Sequence, residues 1–343
     1  MPDTISLATP EGWLPLAFAV VMALAILAYV ILDGYDLGVG LLLRHGANRA
    51  EKNAMIATIG PFWDANETWL VLGVGVLLVA FPVAHGLILG ALYLPVALML
   101  VGLIVRGVAF DFRVKAHDRH WPLWDRAFWA GSLLASWAQG VMLGQLIVGF
   151  RTDLKALAFS LLIGFCLLGG YRLLGASWLI LKTEGALQRK ALRWARQGLV
   201  LSAAGVAAIS LVTPLVSAGI YAKWFVFPNI VLLAPIPLAT LLLFGIMARS
   251  LWRLPATLAS GDQRGCATPF ACAVGIFVLA FCGLAWSLFP WLIVDRINLW
   301  QAASAVESLR VIFYGVLVVL PLIIAYTAFS YRVFRGKAGP LEY

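Results

Sequence analysis

Nine apolar segments recur along this 343-residue chain, separated by short polar loops. A helix needs roughly 20 apolar residues to cross about 30 Å of hydrocarbon, because each residue rises about 1.5 Å. The segments therefore predict an all-α, polytopic integral membrane protein in which residues 1–343 form a single transmembrane domain. The predicted spans are 14–43, 67–82, 85–108, 127–149, 156–181, 198–220, 227–250, 269–292 and 309–334.

Composition and charge agree with a membrane protein. Hydrophobic residues make up 62% of the chain and charged residues 12%, with a mean hydropathy of +0.94, whereas a soluble domain is about 25% charged. The net charge of +9 does not indicate a nucleic-acid partner, because the basic residues lie in short loops between apolar segments. Most of them fall in alternate loops, which predicts a periplasmic amino terminus, a cytoplasmic carboxyl terminus and an odd number of spans.

The first predicted span contains two carboxylates, Asp33 and Asp36, in the stretch ILDGYDLGVG. An ionisable residue inside a membrane helix costs about 2.5 to 3.5 kcal/mol on insertion scales, so each carboxylate needs water, a partner or a proton. Gly34 and Gly38 lie on the neighbouring face and predict a close approach by another helix. A functional site is one interpretation of this stretch, and capping or hydration of a helix end is the other.

Two further polar clusters lie at predicted span ends on the same cytoplasmic side. The stretch PFWDANETWL brings Asp64 and Glu67 to the start of the second span. The stretch VRGVAFDFR brings Arg106 and Asp111 to the end of the third. Because the connections are short, the first three spans are expected to be neighbours, with their clusters close together.

Arg106 is therefore expected to pair with Asp36 or Asp64. Pairing lowers the cost of burying a charge, and carboxylates linked by water are what a proton path requires. Structural ion pairs between helix ends are the alternative and, for Asp64, so is N-capping of its helix. Asp36 is the stronger candidate for function, and Asp33 the weaker.

The chain offers no motif for metal, haem or nucleotide binding. Its histidines, His45, His85, His117 and His120, lie in or beside loops, and its four cysteines form no CxxC pair. A haem in a helical bundle takes its ligands from within helices, so we expect this chain to ligate no haem and no metal. No catalytic residue is assigned. Arg172 lies well inside a span, where it can face a cavity, a partner or a carboxylate, or extend to the interface.

The stretches LDGYDLGVG, PFWDANETWL and VRGVAFDFR, in this order within nine spans, resemble subunit II of the cytochrome bd-type quinol oxidases, whose forms include a shorter, cyanide-insensitive type. The resemblance implies a haem-free subunit that pairs as a heterodimer with a haem-bearing subunit I in the bacterial inner membrane. That partner would carry haem b and haem d, oxidise quinol and reduce O₂ to water. In some members subunit II also holds a quinone, and a small single-span subunit joins the complex.

Matching motifs carry over the residues Asp36, Trp63, Asp64 and Arg106, as part of a cytoplasmic proton path or, for Trp63, a quinone or packing contact. Asp33, Glu67 and Asp111 complete the same set of candidates.

Two positions depart from the commonest form of the motifs. Phe62 stands where many members have His, which removes a titratable group from the path, and Gly107 stands where Pro often follows the Arg, which is expected to loosen the helix end.

A secondary transporter and a purely structural scaffold are the alternative functions. Transporters commonly place charges in discontinuous helices of two related halves, whereas here the polar residues crowd into the first third of the chain. The sequence does not decide the quinone type, whether this chain binds a quinone, the cyanide sensitivity, the presence of a third subunit or which carboxylate conducts protons.

Overall fold

The computed structural model describes residues 6–339, which form a helical bundle. The helices are α1 Pro10–Leu42, α2 Arg49–Ala57, α3 Trp63–Ala80, α4 Pro82–Ala91, α5 Tyr93–Lys115, α6 Trp121–Ile147, α7 Leu154–Lys182, α8 Gly185–Val216, α9 Ala218–Phe225, α10 Asn229–Leu233, α11 Pro235–Ala259, α12 Ala267–Leu288, α13 Leu299–Ala302 and α14 Val306–Val333. Short 3₁₀ helices cover Leu43–His45 and Asp118–His120, and β1 Trp291–Ile293 pairs antiparallel with β2 Ile297–Asn298.

Eight helical segments within residues 6–339 are long and apolar enough to span a membrane. They correspond to every predicted span except the fourth, 127–149, which lies in α6. That helix has 27 residues but is less apolar, because it includes polar residues such as Asp125, Ser132 and Gln139. It nevertheless packs along its length between α5 and α7, with Gly131 against Gly102 and Gly140 against Gly164. The number of spans in a bilayer stays a prediction.

The helices differ from the predicted spans at several bounds, and two of these differences have a plain cause in the sequence. The segment 85–108 is divided at Leu92 between α4 and α5, because Pro95 has no N–H to continue the helix from α4 and is tolerated in a first turn. Helix α8 begins at Gly185, well before predicted residue 198, because its polar first half is amphipathic. The buried face of that half consists of Leu187, Gln188, Ala191, Leu192, Trp194 and Ala195.

Helix α1 lies at the centre of the bundle, against α3, α6 and α7. Its close approach to α7 is set by glycine, as predicted: a Cβ on Gly38 would lie 1.9 Å from the carbonyl oxygen of Tyr171, and one on Gly34 would lie 2.8 Å from the Tyr171 ring. Small residues allow such backbone contact between membrane helices. The carboxylates of α1 therefore face α3 and α5 from a fixed position.

The long helices α1, α3 and α5, which follow one another along the chain, alternate in direction. Asp36 of α1 meets Asn66 of α3, and Ile26 meets Gly73, so these two helices are antiparallel. Trp63 of α3 likewise meets Phe110 of α5. The carboxyl end of α1, the amino end of α3 and the carboxyl end of α5 therefore lie together, at what we call the site end of the bundle. Assignment of this end to the cytoplasm stays a prediction from loop charge.

Candidate functional site

The three sequence motifs meet around the guanidinium of Arg106. Its Nη1 lies 2.8 Å from Oδ1 of Asp33, and its Nη2 donates a hydrogen bond of 2.7 Å to Oε1 of Glu67. The Arg106 and Asp33 side chains are 1% and 0% exposed, whereas Glu67 is 31% exposed. Arg106 thus links a buried carboxylate to a carboxylate that is partly exposed at the surface of the chain.

The prediction that Arg106 pairs with Asp36 or Asp64 is wrong, because its ion-pair partners are other carboxylates. Asp33 forms the ion pair instead, although the motif made it the weaker candidate. Asp36 lies nearly one helical turn further along α1 and turns toward α3, where Nδ2 of Asn66 donates to its Oδ2 at 2.8 Å. The two aspartates therefore have separate partners on separate helices.

A second set of contacts surrounds Asp36. Asn66 Nδ2 also donates to the hydroxyl of Tyr35 at 3.0 Å, and the hydroxyl of Tyr331 donates to Oδ1 of Asn66 at 3.2 Å. The two tyrosine hydroxyls lie 2.5 Å apart. The sequence did not predict Asn66 as the hydrogen-bond donor to Asp36. It gave no indication of Tyr331, because no sequence spacing relates α14 to α1.

Several charged atoms of the site have no hydrogen-bond partner within the described residues. They include Oδ2 of Asp33, Oδ1 of Asp36 and Nε of Arg106, all fully buried. Buried polar groups are nearly always paired, which distinguishes these three atoms from the bonded groups around them.

Asp64 and Asp111 lie at the rim of the site and are exposed. Asp64 is in the first turn of α3, and the residue that precedes the helix, Phe62, makes no side-chain capping bond. The structure therefore does not use Asp64 as the N-cap. Both rim carboxylates are exposed at the surface of the chain.

Trp63 covers the outer side of Arg106. Its ring centre lies 5.9 Å from the guanidinium carbon of Arg106 and 4.7 Å from the ring centre of Phe110. Gly107 lies under the same indole, and α5 continues through it to Lys115, so the expected loosening of the helix end stays a prediction. Phe62 stacks on Tyr331 with ring centres 4.6 Å apart. It supports the tyrosine that bonds Asn66.

A further polar chain continues inward from Asp33. Tyr29 lies one helical turn before Asp33 on α1, with its hydroxyl beside that carboxylate. Gln139 Nε2 donates to the Tyr29 hydroxyl at 2.7 Å, and the Tyr171 hydroxyl donates to Gln139 Oε1 at 2.7 Å. Two features of the sequence could have indicated this polar chain. Tyr29 and Asp33 are spaced i, i+4 on one helix, and Gln139 lies inside the predicted span 127–149.

Other charged groups at the site end tie the loop helix α2 to the bundle. Arg113 is 1% exposed, bonds Asp125 through Nε at 2.6 Å and donates to Asn53 at 2.8 Å. Lys190 of α8 donates to both carboxylate oxygens of Glu51 at 2.7 Å. These bonds, with one from the backbone of Ala47, lower the pKa of Glu51 below its usual range. These contacts are structural.

The donor set within residues 6–339 does not fit a haem held between helices. His45 ends one 3₁₀ helix, His117 precedes the other and His120 ends it, and His85 lies in the first turn of α4. Axial ligands must project from facing helices, and these side chains lie at helix ends. The residues described also include no group of three His, Cys, Asp or Glu arranged to hold a metal ion.

Comparison with known proteins identifies the family of the chain. The family model for cytochrome bd terminal oxidase subunit II matches residues 14–334. The cytochrome bd ubiquinol oxidase subunit 2 of Bacillus subtilis (strain 168) is 29% identical, with 94% of this chain and 96% of the relative covered. The cytochrome bd-I ubiquinol oxidase subunit 2 of Escherichia coli (strain K12) is 26% identical, with 91% and 92% covered.

The fold has a solved counterpart in the bd oxidase from Geobacillus thermodenitrificans. The match has a TM-score of 0.74 at 18% identity and covers 94% of this chain and 98% of that chain. At this identity it supports the fold alone. Because the family model spans nearly the whole sequence, the chain belongs to the cytochrome bd terminal oxidase subunit II family.

Proposed function

We propose that this chain carries protons inward from the site end of the bundle, through the carboxylates gathered around Arg106, for a quinol oxidase whose haems lie in its partner subunit. Family membership makes the chain a multi-pass inner-membrane subunit of a bd-type quinol oxidase complex. The observation that carries the proposal is the bridge from partly exposed Glu67 through Arg106 to fully buried Asp33.

The order of exposure supports a path with a direction. Asp64 and Asp111 are exposed at the rim, Glu67 is partly exposed, and Asp33 and Asp36 are buried. Titratable groups that run from solvent to a buried site are typical of proton relays in membrane proteins. The unpartnered oxygens of Asp33 and Asp36 are positions where water would join neighbouring groups.

Charge also supports proton binding at the site. Three carboxyl groups lie near one guanidinium: Asp33 and Glu67 contact Arg106 directly, and Asp36 is close enough to interact with its charge. If all were ionised, the cluster would carry excess negative charge in a medium of low dielectric constant, which is costly. Carboxylates that outnumber their cationic partners in this way are typical of proton relays in membrane proteins.

The proposal includes the partner. Subunit I forms the heterodimer, holds haems b and d and oxidises quinol, while this chain ligates neither haem. The helix-end histidines support that division, and the chain purified alone is expected to show no Soret band. Trp63 packs on Phe110 beside Arg106. This packing favours a role for Trp63 in positioning the arginine rather than in contacting a quinone.

The test is the Glu67→Gln variant in the purified complex. Glutamine keeps a group near Arg106 but cannot release a proton, so quinol-driven O₂ consumption and proton uptake into proteoliposomes are expected to fall about tenfold or more. Glu307→Gln is the matched control, because Glu307 is an exposed glutamate in the first turn of α14. Haem absorbance per complex measures assembly in each variant.

The outcomes separate the path from a scaffold. Full turnover and full proton uptake in both Glu67→Gln and Asp64→Asn would contradict the path. Reduced haem content with normal turnover per haem would indicate that these carboxylates only stabilise the complex.

A further inference from the structure

Two clefts open side by side on the outer face of α8 at the site end. The larger has a volume of about 360 Å³, and its lining consists of Arg189, Leu192, Arg193, Arg196 and Pro255. The smaller has a volume of about 240 Å³, and its lining consists of His45, Lys190, Arg193, Trp194 and Gln197. Arg193 lies between them and lines both, so the two clefts form one basic surface, which we call the α8 cleft.

The positive charge of the α8 cleft is only partly neutralised. Lys190 is paired with Glu51, and Arg196 donates to the carbonyl oxygen of Leu251 at 2.8 Å. Arg189 and Arg193 are exposed and make no ion pair within residues 6–339. No carboxylate lines either cleft. A negatively charged group would therefore gain two free guanidinium partners here.

Arg172 contacts a residue that lines the smaller cleft, Gln197. Its Nη2 donates to Oε1 of Gln197 at 2.8 Å, while its Nε is buried without a partner in the described chain. The bond orients the Gln197 amide, whose nitrogen remains available to donate into the cleft. The basic residue that the sequence left without an assignment thus lies beside the α8 cleft rather than in the Arg106 site.

The α8 cleft is continuous with an exposed apolar surface. Arg189, Arg193, Arg196 and Val200 follow one another at helical spacing along one face of α8. Val200 is 68% exposed and Leu201 50% exposed, directly after the basic turns. A ligand with a charged head and an apolar tail matches this order along the helix.

We propose that the α8 cleft binds the phosphate group of an anionic phospholipid, with the acyl chains lying along the exposed apolar face of α8. Guanidinium groups bind phosphate in a forked, bidentate geometry, and basic pockets beside membrane helices bind lipid head groups. The apolar continuation favours a lipid over free phosphate. This site is separate from the Arg106 site.

The test is lipid binding to the intact complex in mild detergent, followed by native mass spectrometry. Short-chain phosphatidylglycerol, short-chain phosphatidylcholine and inorganic phosphate are titrated separately. Replacing Arg189→Gln together with Arg193→Gln is expected to weaken phosphatidylglycerol binding about 25-fold, or about fivefold for each basic residue near an anionic head group. Arg126→Gln with Arg335→Gln is the matched control, because both arginines are exposed and line neither cleft.

The expected pattern is tight binding of phosphatidylglycerol, loss in the α8 variant and no change in the control. Equal phosphatidylglycerol binding in the α8 variant and the native complex would overturn the proposal. Equal binding of phosphatidylcholine would overturn the anionic requirement. Inorganic phosphate that binds as tightly as phosphatidylglycerol would assign the cleft to free phosphate instead of a lipid.

Discussion

Tyr331 reaches the candidate site from α14, far from the three motifs along the chain. Its hydroxyl bonds Asn66 and lies 2.5 Å from the Tyr35 hydroxyl, and its ring stacks on Phe62. Asn66 in turn holds Asp36. The position of the second buried carboxylate thus depends on a residue contributed by the last helix.

Tyr331→Phe tests this dependence. The variant keeps the ring against Phe62 but leaves Oδ1 of Asn66 without its donor, and an unsatisfied buried polar group costs about 1–3 kcal/mol. We expect a lower midpoint of thermal unfolding and a severalfold loss of O₂ consumption. Tyr314→Phe, at an exposed tyrosine of the same helix, is the control. Unchanged turnover and stability in Tyr331→Phe would show that Asn66 holds Asp36 unaided.

At the level of helices, the sequence predicts which helix ends form the site better than it predicts which charged residues pair there. Loop charge and short connections place the ends of α1, α3 and α5 together, and the structure brings their motifs into contact. The rotation of each helix about its axis is set by packing, which hydropathy does not encode. For that reason Asp33, rather than Asp36, pairs with Arg106.

The crossing of α1 and α7 can be tested at Gly38. A Cβ there would lie 1.9 Å from the Tyr171 carbonyl oxygen and 2.8 Å from the backbone nitrogen of Gly175, neither of which can move independently. Gly38→Ala is expected to separate the helices and destabilise the chain by about 3 kcal/mol or more, as overpacked cores do. The readouts are the yield of assembled complex and its thermal midpoint.

Gly245→Ala provides the control for that prediction. Gly245 lies inside α11, and apart from the adjoining backbone of that helix no atom lies within 4 Å of an added Cβ, so alanine there should be neutral or stabilising by up to about 1 kcal/mol. If both variants assemble equally well, backbone contact at Gly38 does not fix the position of α1.

For the whole molecule, the residues after α14 fasten the bundle at the site end. Lys182 at the end of α7 donates through Nζ to the Phe334 carbonyl oxygen at 2.6 Å. Lys337 donates to the Thr183 carbonyl oxygen at 2.9 Å, and the Ala338 N–H donates to the Lys182 carbonyl oxygen at 2.9 Å. Burial lowers the pKa of Lys337, in agreement with its packing against the body of the bundle.

Through these bonds the last helix, α14, contributes to the same site as the first helix, α1. Helix α14 is largely exposed and has few buried residues of its own, so its apolar burial contributes little to its position within the chain. The lysine bonds at its carboxyl end therefore have a larger share in keeping Tyr331 against Asn66. Such dependence lies beyond sequence patterns, because it joins residues that are more than 150 positions apart.

Lys182→Met should loosen the carboxyl end of α14 without touching the carboxylates. Methionine retains packing against Trp178, over whose ring Lys182 Nζ lies at 4.9 Å, but it cannot donate to Phe334. Amide hydrogen exchange over residues 331–338 is expected to increase, with a smaller loss of O₂ consumption than in Glu67→Gln. Lys155→Met, at an exposed lysine near the opposite end of α7, should leave both measurements unchanged. If exchange in Lys182→Met equals that in the control, the bundle holds α14 without the Lys182 contact, and the position of Tyr331 rests on its other contacts, including the stacking on Phe62 and the bond to Asn66.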